Sequence, residues 1–196
     1  MNAQHTHEAR PRVEGDRELE ILEAALDVLA DVGYDRLTMD AVATRAKASK
    51  ATLYRRWNTK VALVIDALTS QKDPGSMPDT GSLRDDLIAM SCGFQGFTDS
   101  RTIAVLAAVI TALNRDADFA KQFRTEFVEP KLKMARGVYE RAHARGEIRD
   151  DLDIDLLAPS LAGIVLHRIF LLGKPPSDDE VTQIIDQIII PACQPR

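Results

Sequence analysis

Residues 36–60 collect seven cations, Arg36, Arg45, Lys47, Lys50, Arg55, Arg56 and Lys60, against a single acid, Asp40, a local net charge of +6. The whole chain carries −5, so this stretch opposes the average, and the placement of charge rather than its sum decides what the surface can bind. Residues 50–57 within it read Lys-Ala-Thr-Leu-Tyr-Arg-Arg-Trp. On a helix successive side chains rotate by about 100°, which puts Leu53 and Trp57 on one face and Arg55 nearly opposite. Ala51, Thr52 and Arg55 then point outward, flanked by Lys50 and Tyr54 on one side and Arg56 on the other. Small, hydroxyl and cationic groups on one exposed helical surface suit nucleic acid. An arginine can donate paired hydrogen bonds to guanine, and a threonine can meet a thymine methyl group or a phosphate. Arg55 is the candidate base reader, with Thr52 beside it. Tyr54 and Lys60 suit phosphates, Lys60 adding its ammonium to the amides at a helix start, and Thr38 can do likewise one helix earlier. Charge spacing alone also fits an ordinary solvated basic face.

Four helices are needed to hold those groups. Residues 18–32 repeat apolar side chains at three- and four-residue intervals (Leu19, Ile21, Leu22, Ala25, Leu26, Leu29), with Asp16 as a cap and Gly33 as a stop. Thr38 caps a short second helix whose apolar positions are Met39, Val42, Ala43 and Ala46. Lys47-Ala48-Ser49 breaks the pattern, and Ser49 caps a third helix over residues 50–57. Asn58-Thr59 caps a fourth, over residues 60–70. Two short helices joined by a three-residue turn and braced on each side form a helix-turn-helix, whose second helix enters a DNA major groove.

Beyond residue 71, a run of breakers (Asp73, Pro74, Gly75, Pro78, Gly81) divides the chain. Helical periods then resume over residues 83–97, 102–114, 119–144 with Pro130 bending it, 154–172 and 181–190. The expected fold is all-α: a polar, disordered tail over residues 1–15, a helix-turn-helix domain over 16–71 and a helical domain over 72–196. A composition of 45% hydrophobic and 28% charged residues is that of a globular protein and excludes a disordered or fibrous one. No apolar run reaches the roughly 18 to 20 residues of a membrane span, since His167 and Arg168 interrupt the longest. Cys92 and Cys193 stand in no metal or redox spacing, which points to a reducing cytoplasm. Asp151, Asp153 and Asp155 alternate like a calcium loop, but Leu156 stands where glycine is needed and Ala162 where glutamate is. His5 and His7 have no third ligand near them, so no metal or cofactor is expected. Nor is any nucleophile, base and orienter set visible, which leaves an enzyme or a small-molecule carrier as the weaker reading.

Residues 21–63 resemble the DNA-binding domain of the TetR (TetR/AcrR) family of bacterial regulators. The resemblance runs through Ile21-Leu22-Glu23-Ala24-Ala25, Gly33-Tyr34, Leu37-Thr38, Val42-Ala43, Ala46, the run of residues 49–57, and Lys60. Its most specific part is Thr52-Leu53-Tyr54 followed by Trp57 and Lys60. Members often have glycine where Lys47 stands, valine at Ala48, glycine at Ala51 and phenylalanine at Trp57; glycine at the first of these suits a turn of positive φ, so Lys47 implies either some strain there or a slightly different turn. The resemblance implies that Thr38, Lys50, Ala51, Thr52, Tyr54, Arg55, Arg56 and Lys60 meet double-stranded DNA. It continues through Pro130, Arg141-Ala142, Arg145-Gly146-Glu147-Ile148, Asp153 and residues 166–173, and implies a homodimer, a near-palindromic operator, and a C-terminal pocket whose small, lipophilic effector alters DNA affinity, usually releasing a repressor. Candidates for lining that pocket are Met90, Phe94 and Phe97; Leu106, Val109, Ile110 and Leu113; Phe123, Phe127, Met134 and Val138; and His167 as a polar contact. Residues 154–172 and 181–190, apolar around much of their circumference, are the candidates for a two-fold four-helix interface.

Overall fold

The computed structural model describes residues 14–71, 77–91 and 99–194. Among them every regular element is a helix. The head consists of α1 (Glu14–Arg36), α2 (Met39–Arg45), α3 (Lys50–Arg56) and α4 (Lys60–Ser70). Three hydroxyl caps start the last three: Thr38 accepts from the Ala41 amide at 3.1 Å, Ser49 from Thr52 at 3.0 Å and Thr59 from Ala62 at 3.1 Å. Each satisfies an amide that the first helical turn leaves without a partner, worth about 1 kcal/mol. Gly33 breaks α1 with φ 75° and ψ 169°, a backbone open to glycine alone, and a single turn beyond it carries the chain to Arg36. α1 begins two residues before Asp16, whose carboxylate therefore sits in the first turn rather than at the cap.

The C-terminal half consists of α5 (Leu83–Ser91), α6 (Ser100–Arg115), α7 (Ala117–Phe123), α8 (Glu129–Ala144), α9 (Ile154–Leu157), α10 (Ser160–Phe170), α11 (Asp178–Ile184) and α12 (Ile190–Cys193). The expected continuation of α5 to residue 97 lies outside the described residues, as do the N-terminal tail, Cys92, His5 and His7. The expected helix over 119–144 is two helices joined by a π-turn, Arg124–Val128, and the one over 181–190 is split in the same way by Ile185–Ile189. Each π-turn is followed, one residue on, by an amide next to a proline: Glu129 donates to Arg124 ahead of Pro130, and Ile190 to Ile185 ahead of Pro191. A proline inside a helix lacks a donor and pushes its ring at the carbonyl four residues back. Widening the preceding turn relieves that clash while the helix runs on. The expected helix over 154–172 is interrupted by Pro159, which separates α9 from α10.

Two apolar cores result, and the first does not stop at the head. It combines Leu26, Leu29, Leu53, Trp57, Leu63 and Val64 with Val105, Val109 and Ala112 of α6 and Phe119 and Phe123 of α7. Arginines fasten α6 to α1 near both its ends: Arg101 donates to Asp27 at 2.6 Å and Glu23 at 2.8 Å, and Arg115 pairs with Asp35 at 2.6 Å. At the joint of α6 and α7, Asp116 caps α7 through the Phe119 amide (2.9 Å) and accepts the Tyr34 hydroxyl (3.0 Å). These bonds to the charged form hold the Asp116 carboxyl below its ordinary range. The Tyr34 ring rests on Phe119 with centroids 4.5 Å apart. The head is thus seated on the C-terminal half by packing and by charge together.

The second core joins α5, α8, α10 and α11 through Leu87, Val138, Tyr139, Leu161, Val165, Val181 and Ile185. At its edge Asp86 is wholly buried. One carboxylate oxygen accepts from the Thr80 amide (2.7 Å) and hydroxyl (2.8 Å), while the other makes no hydrogen bond and lies 3.7 Å from the Arg145 guanidinium. Arg145 is also paired with Glu147, which in turn accepts from the Leu83 amide at 2.7 Å. The approach to α5 is so strapped to the end of α8.

Candidate nucleic-acid interface

The turn between α2 and α3 is built by a C-terminal cap of two reversed hydrogen bonds. Ala48 donates to Ala43 at 2.9 Å and Lys47 to Thr44 at 3.1 Å, the pattern that ends a helix on a left-handed residue. That residue is Lys47, with φ 50°, the single non-glycine residue at positive φ among those described. Arg17 of α1 holds the turn from outside, its guanidinium donating to the carbonyls of Ala46 (2.9 Å) and Lys47 (2.7 Å). A side chain in this region costs about 1 kcal/mol relative to glycine. Lys47→Gly is therefore expected to raise the unfolding free energy by about 1 kcal/mol, read as a higher urea midpoint, and a drop in midpoint would mean that the turn is not strained.

α3 itself is anchored on one side only. Leu53 is wholly buried and Trp57 is 2% exposed. The indole nitrogen donates to Asp66 of α4 at 2.7 Å, which ties the end of α3 to the helix behind it. The opposite face is open: Lys50, Ala51, Tyr54, Arg55 and Arg56 are exposed, and Thr52 is half-buried with its hydroxyl 2.8 Å from Ser49. Ser49, Lys50, Thr52, Tyr54, Arg55 and Arg56 thus share one short helix and its cap, with Thr38 exposed at the start of α2.

The charge on this face is not the +6 counted along the sequence. Lys50 lies 2.6 Å from Asp40, Arg56 3.0 Å from Glu18, and Arg45 2.5 Å from Asp31. Arg36 donates to the Val32 carbonyl. Lys60 is turned inward, its ammonium 4.1 Å above the Tyr34 ring and 3.2 Å from the Tyr34 carbonyl. The side chains of Arg55 and Lys47 make no hydrogen bond or ion pair to a described residue. Glu18 and Asp31 stand on α1, outside the counted stretch, so folding brings acids that a local sum cannot include. An exposed guanidinium without an internal partner retains all its donors for a planar acceptor pair.

Among the described residues, the expected pocket-lining side chains are divided between the two cores and the surface. Val109, Phe123 and Phe127 belong to or pack on the first core, where Phe119, Phe123 and Phe127 stack at 5.8 and 4.8 Å. Val138 is in the second core, on which Met90 packs. Leu106, Leu113 and Met134 are half-buried, Ile110 and His167 are exposed, and Phe94 and Phe97 lie outside the described residues. The face of α6 turned to α1 is Val105, Val109 and Ala112, which leaves Leu106 and Ile110 on a neighbouring stripe. Two surface depressions, of about 400 and 360 Å³, are lined by mixed charged and apolar residues and by none of these candidates.

Comparison with known proteins agrees with this arrangement. The family described as bacterial regulatory proteins, tetR family, matches residues 21–67, and the tetracyclin repressor-like C-terminal domain matches residues 77–188. The chain is 35% identical over 177 residues to the uncharacterized HTH-type transcriptional regulator YdeS of Bacillus subtilis (strain 168), covering 90% of this chain and 89% of that one. It is 32% identical over 181 residues to the DNA-binding transcriptional repressor TetR of Mycobacteroides abscessus, covering 91% and 95%. Among solved structures, the TetR family transcription regulator SCO0332 superposes with a TM-score of 0.69 at 30% identity, covering 92% of this chain and all of that one. With two family domains matched in order and relatives similar along nearly their full length, this chain belongs to the TetR family of helix-turn-helix transcriptional regulators.

Proposed function

We propose that the protein is a homodimeric repressor that binds a near-palindromic operator through α3 and is released by a small lipophilic effector. The observation that carries the DNA half of the reading is α3 itself: Leu53 and Trp57 lock it in place while Arg55 stands exposed and without a side-chain partner among the described residues. In this reading Arg55 contacts a guanine edge and Thr52 a thymine methyl or phosphate. Lys50, Ala51, Tyr54, Arg56, Thr38 and, once it leaves Tyr34, Lys60 line the backbone. The division of labour follows the chain, with residues 16–71 reading DNA and residues 72–196 pairing and sensing.

Support for pairing comes from α10 and α11–α12. Leu166, Leu171, Leu172 and Ile188 are exposed, Leu171 at 75% and Ile188 at 51%. On α10, Gly163 lies one turn before Leu166 and His167, and a Cβ added there would meet nothing within 4 Å. Two such helices can pack on their copies across a two-fold axis, holding two α3 helices about 34 to 36 Å apart to match half-sites one DNA turn apart. Gly163→Glu tests this without harming the fold, because glutamate is a better helix former than glycine by about 0.5–1 kcal/mol. The expected result is a monomer by light scattering with full helical content and loss of tight binding to a palindromic duplex. A variant that stays dimeric would place the interface elsewhere. For the effector, the apolar Leu106–Ile110 stripe of α6 and the exposed Leu132 of α8 favour a lipophilic molecule. Native mass spectrometry of the purified protein would reveal such a molecule as a mass adduct.

A further inference from the structure

Both ends of α3 carry a cation that the chain already neutralises. At its start the Lys50 ammonium lies 2.6 Å from Asp40, in the first turn of α2. At its end Arg56 donates to one oxygen of Glu18, on α1, through Nη2 at 3.0 Å and Nε at 3.3 Å. Between them Arg55 has no such partner among the described residues. The acids come from two different helices, 10 and 38 residues away along the chain, and converge on the two flanks of the one exposed helix. All four side chains are open to solvent, Lys50 at 66%, Asp40 at 57%, Arg56 at 57% and Glu18 at 36%, so these pairs are exchangeable. The carboxylates raise the proton affinity of both cations, as partners that favour the charged form must.

Resting on the DNA-binding reading above, we infer that Asp40 and Glu18 are positioning residues that stand in for backbone phosphates. Each holds, in the free protein, the cation that a phosphate takes over in the complex. A carboxylate and a phosphate oxygen compete for the same N–H donors, so binding exchanges one acceptor for another instead of satisfying an idle cation. Two consequences follow. Affinity is damped equally for every sequence, because phosphates carry no sequence information. The ionic-strength response is also shallower than the number of cations implies, since salt weakens the internal pair along with the one to DNA. Arg55, outside this exchange, keeps its full weight in discriminating bases.

The test uses the full-length chain carrying Asp40→Asn or Glu18→Gln, each nearly isosteric, with a palindromic duplex and an unrelated one titrated over a series of potassium chloride concentrations. Each variant is expected to bind both duplexes about two- to fivefold more tightly, the range an exposed ion pair spans. The slope of log K against log salt should steepen by up to about 0.9 per freed cation. A purely structural role for either acid would leave that slope alone. In a Lys50→Ala background the effect of Asp40→Asn should vanish, as should that of Glu18→Gln in an Arg56→Ala background. An unchanged slope, weaker binding, or an effect that survives loss of the partner cation overturns the inference. Salt-insensitive or absent DNA binding by the unmodified protein is a different result: it removes the DNA-binding reading, and this inference with it.

Discussion

Replacing Trp57 by alanine is expected to destabilise the protein by about 4 kcal/mol, within the range of buried tryptophan deletions. Three contributions meet at this side chain. The ring is 2% exposed in the first core, so its loss leaves a cavity there. The indole is the donor to Asp66, so the half-buried carboxylate is left without that bond. α3, with seven residues, is also too short to persist without tertiary anchors, and Leu53 and Trp57 are the buried ones. Trp57→Phe separates the terms, because it retains most of the packing but not the donor; a loss of about 1–2 kcal/mol is expected. Urea denaturation measures both. A Trp57→Ala loss below about 1 kcal/mol would mean that the end of α3 is held by something else.

The second large effect concerns the far end of the molecule. Arg145→Ala is expected to cost about 3 kcal/mol, because it strips the countercharge from a carboxylate that has no access to solvent. Asp86 would keep its two bonds from Thr80, but its other oxygen already lacks a hydrogen bond. The decisive comparison is the double variant. Asp86→Asn removes the buried charge, so Asp86→Asn with Arg145→Ala should be more stable than Arg145→Ala alone, a negative coupling in a double-mutant cycle. Additive losses would show that Arg145 acts through Glu147 and the strap to Leu83 rather than through Asp86.

What the sequence discloses, and where it falls silent, follows from the range of the interactions. Thr38, Ser49 and Thr59 cap helices three residues away, and the buried side of α3 follows from a 3.6-residue period, so both are readable locally. The charge of the reading face is not, because Glu18 reaches Arg56 across 38 residues and Asp31 reaches Arg45 across 14. α6 offers a different ambiguity. Val105, Val109 and Ala112 form one stripe and Leu106, Ile110 and Leu113 the next, and both are apolar. Only the presence of α1, fastened by Arg101 and Arg115, decides that the first is core. Pro130 and Pro191 announce a disturbance, but whether the helix kinks, breaks or widens depends on how its neighbours pack. At Lys47 the family position usually held by glycine leaves two readings, strain or a different turn, and the φ of 50° decides for the first.

The proposed function rests on Arg55 reading bases from a helix held by Leu53 and Trp57. The most direct measurement is the affinity of the unmodified protein and of Arg55→Ala for a palindromic duplex from near its own gene and for single-base variants of it, at several salt concentrations. The unmodified protein should bind with a steep fall in affinity as salt rises. Arg55→Ala should weaken the preferred duplex by about 1–3 kcal/mol and erase the preference at one base position in each half-site, with little change in affinity for unrelated DNA. An equal loss on every sequence, with the base preferences intact, would contradict it.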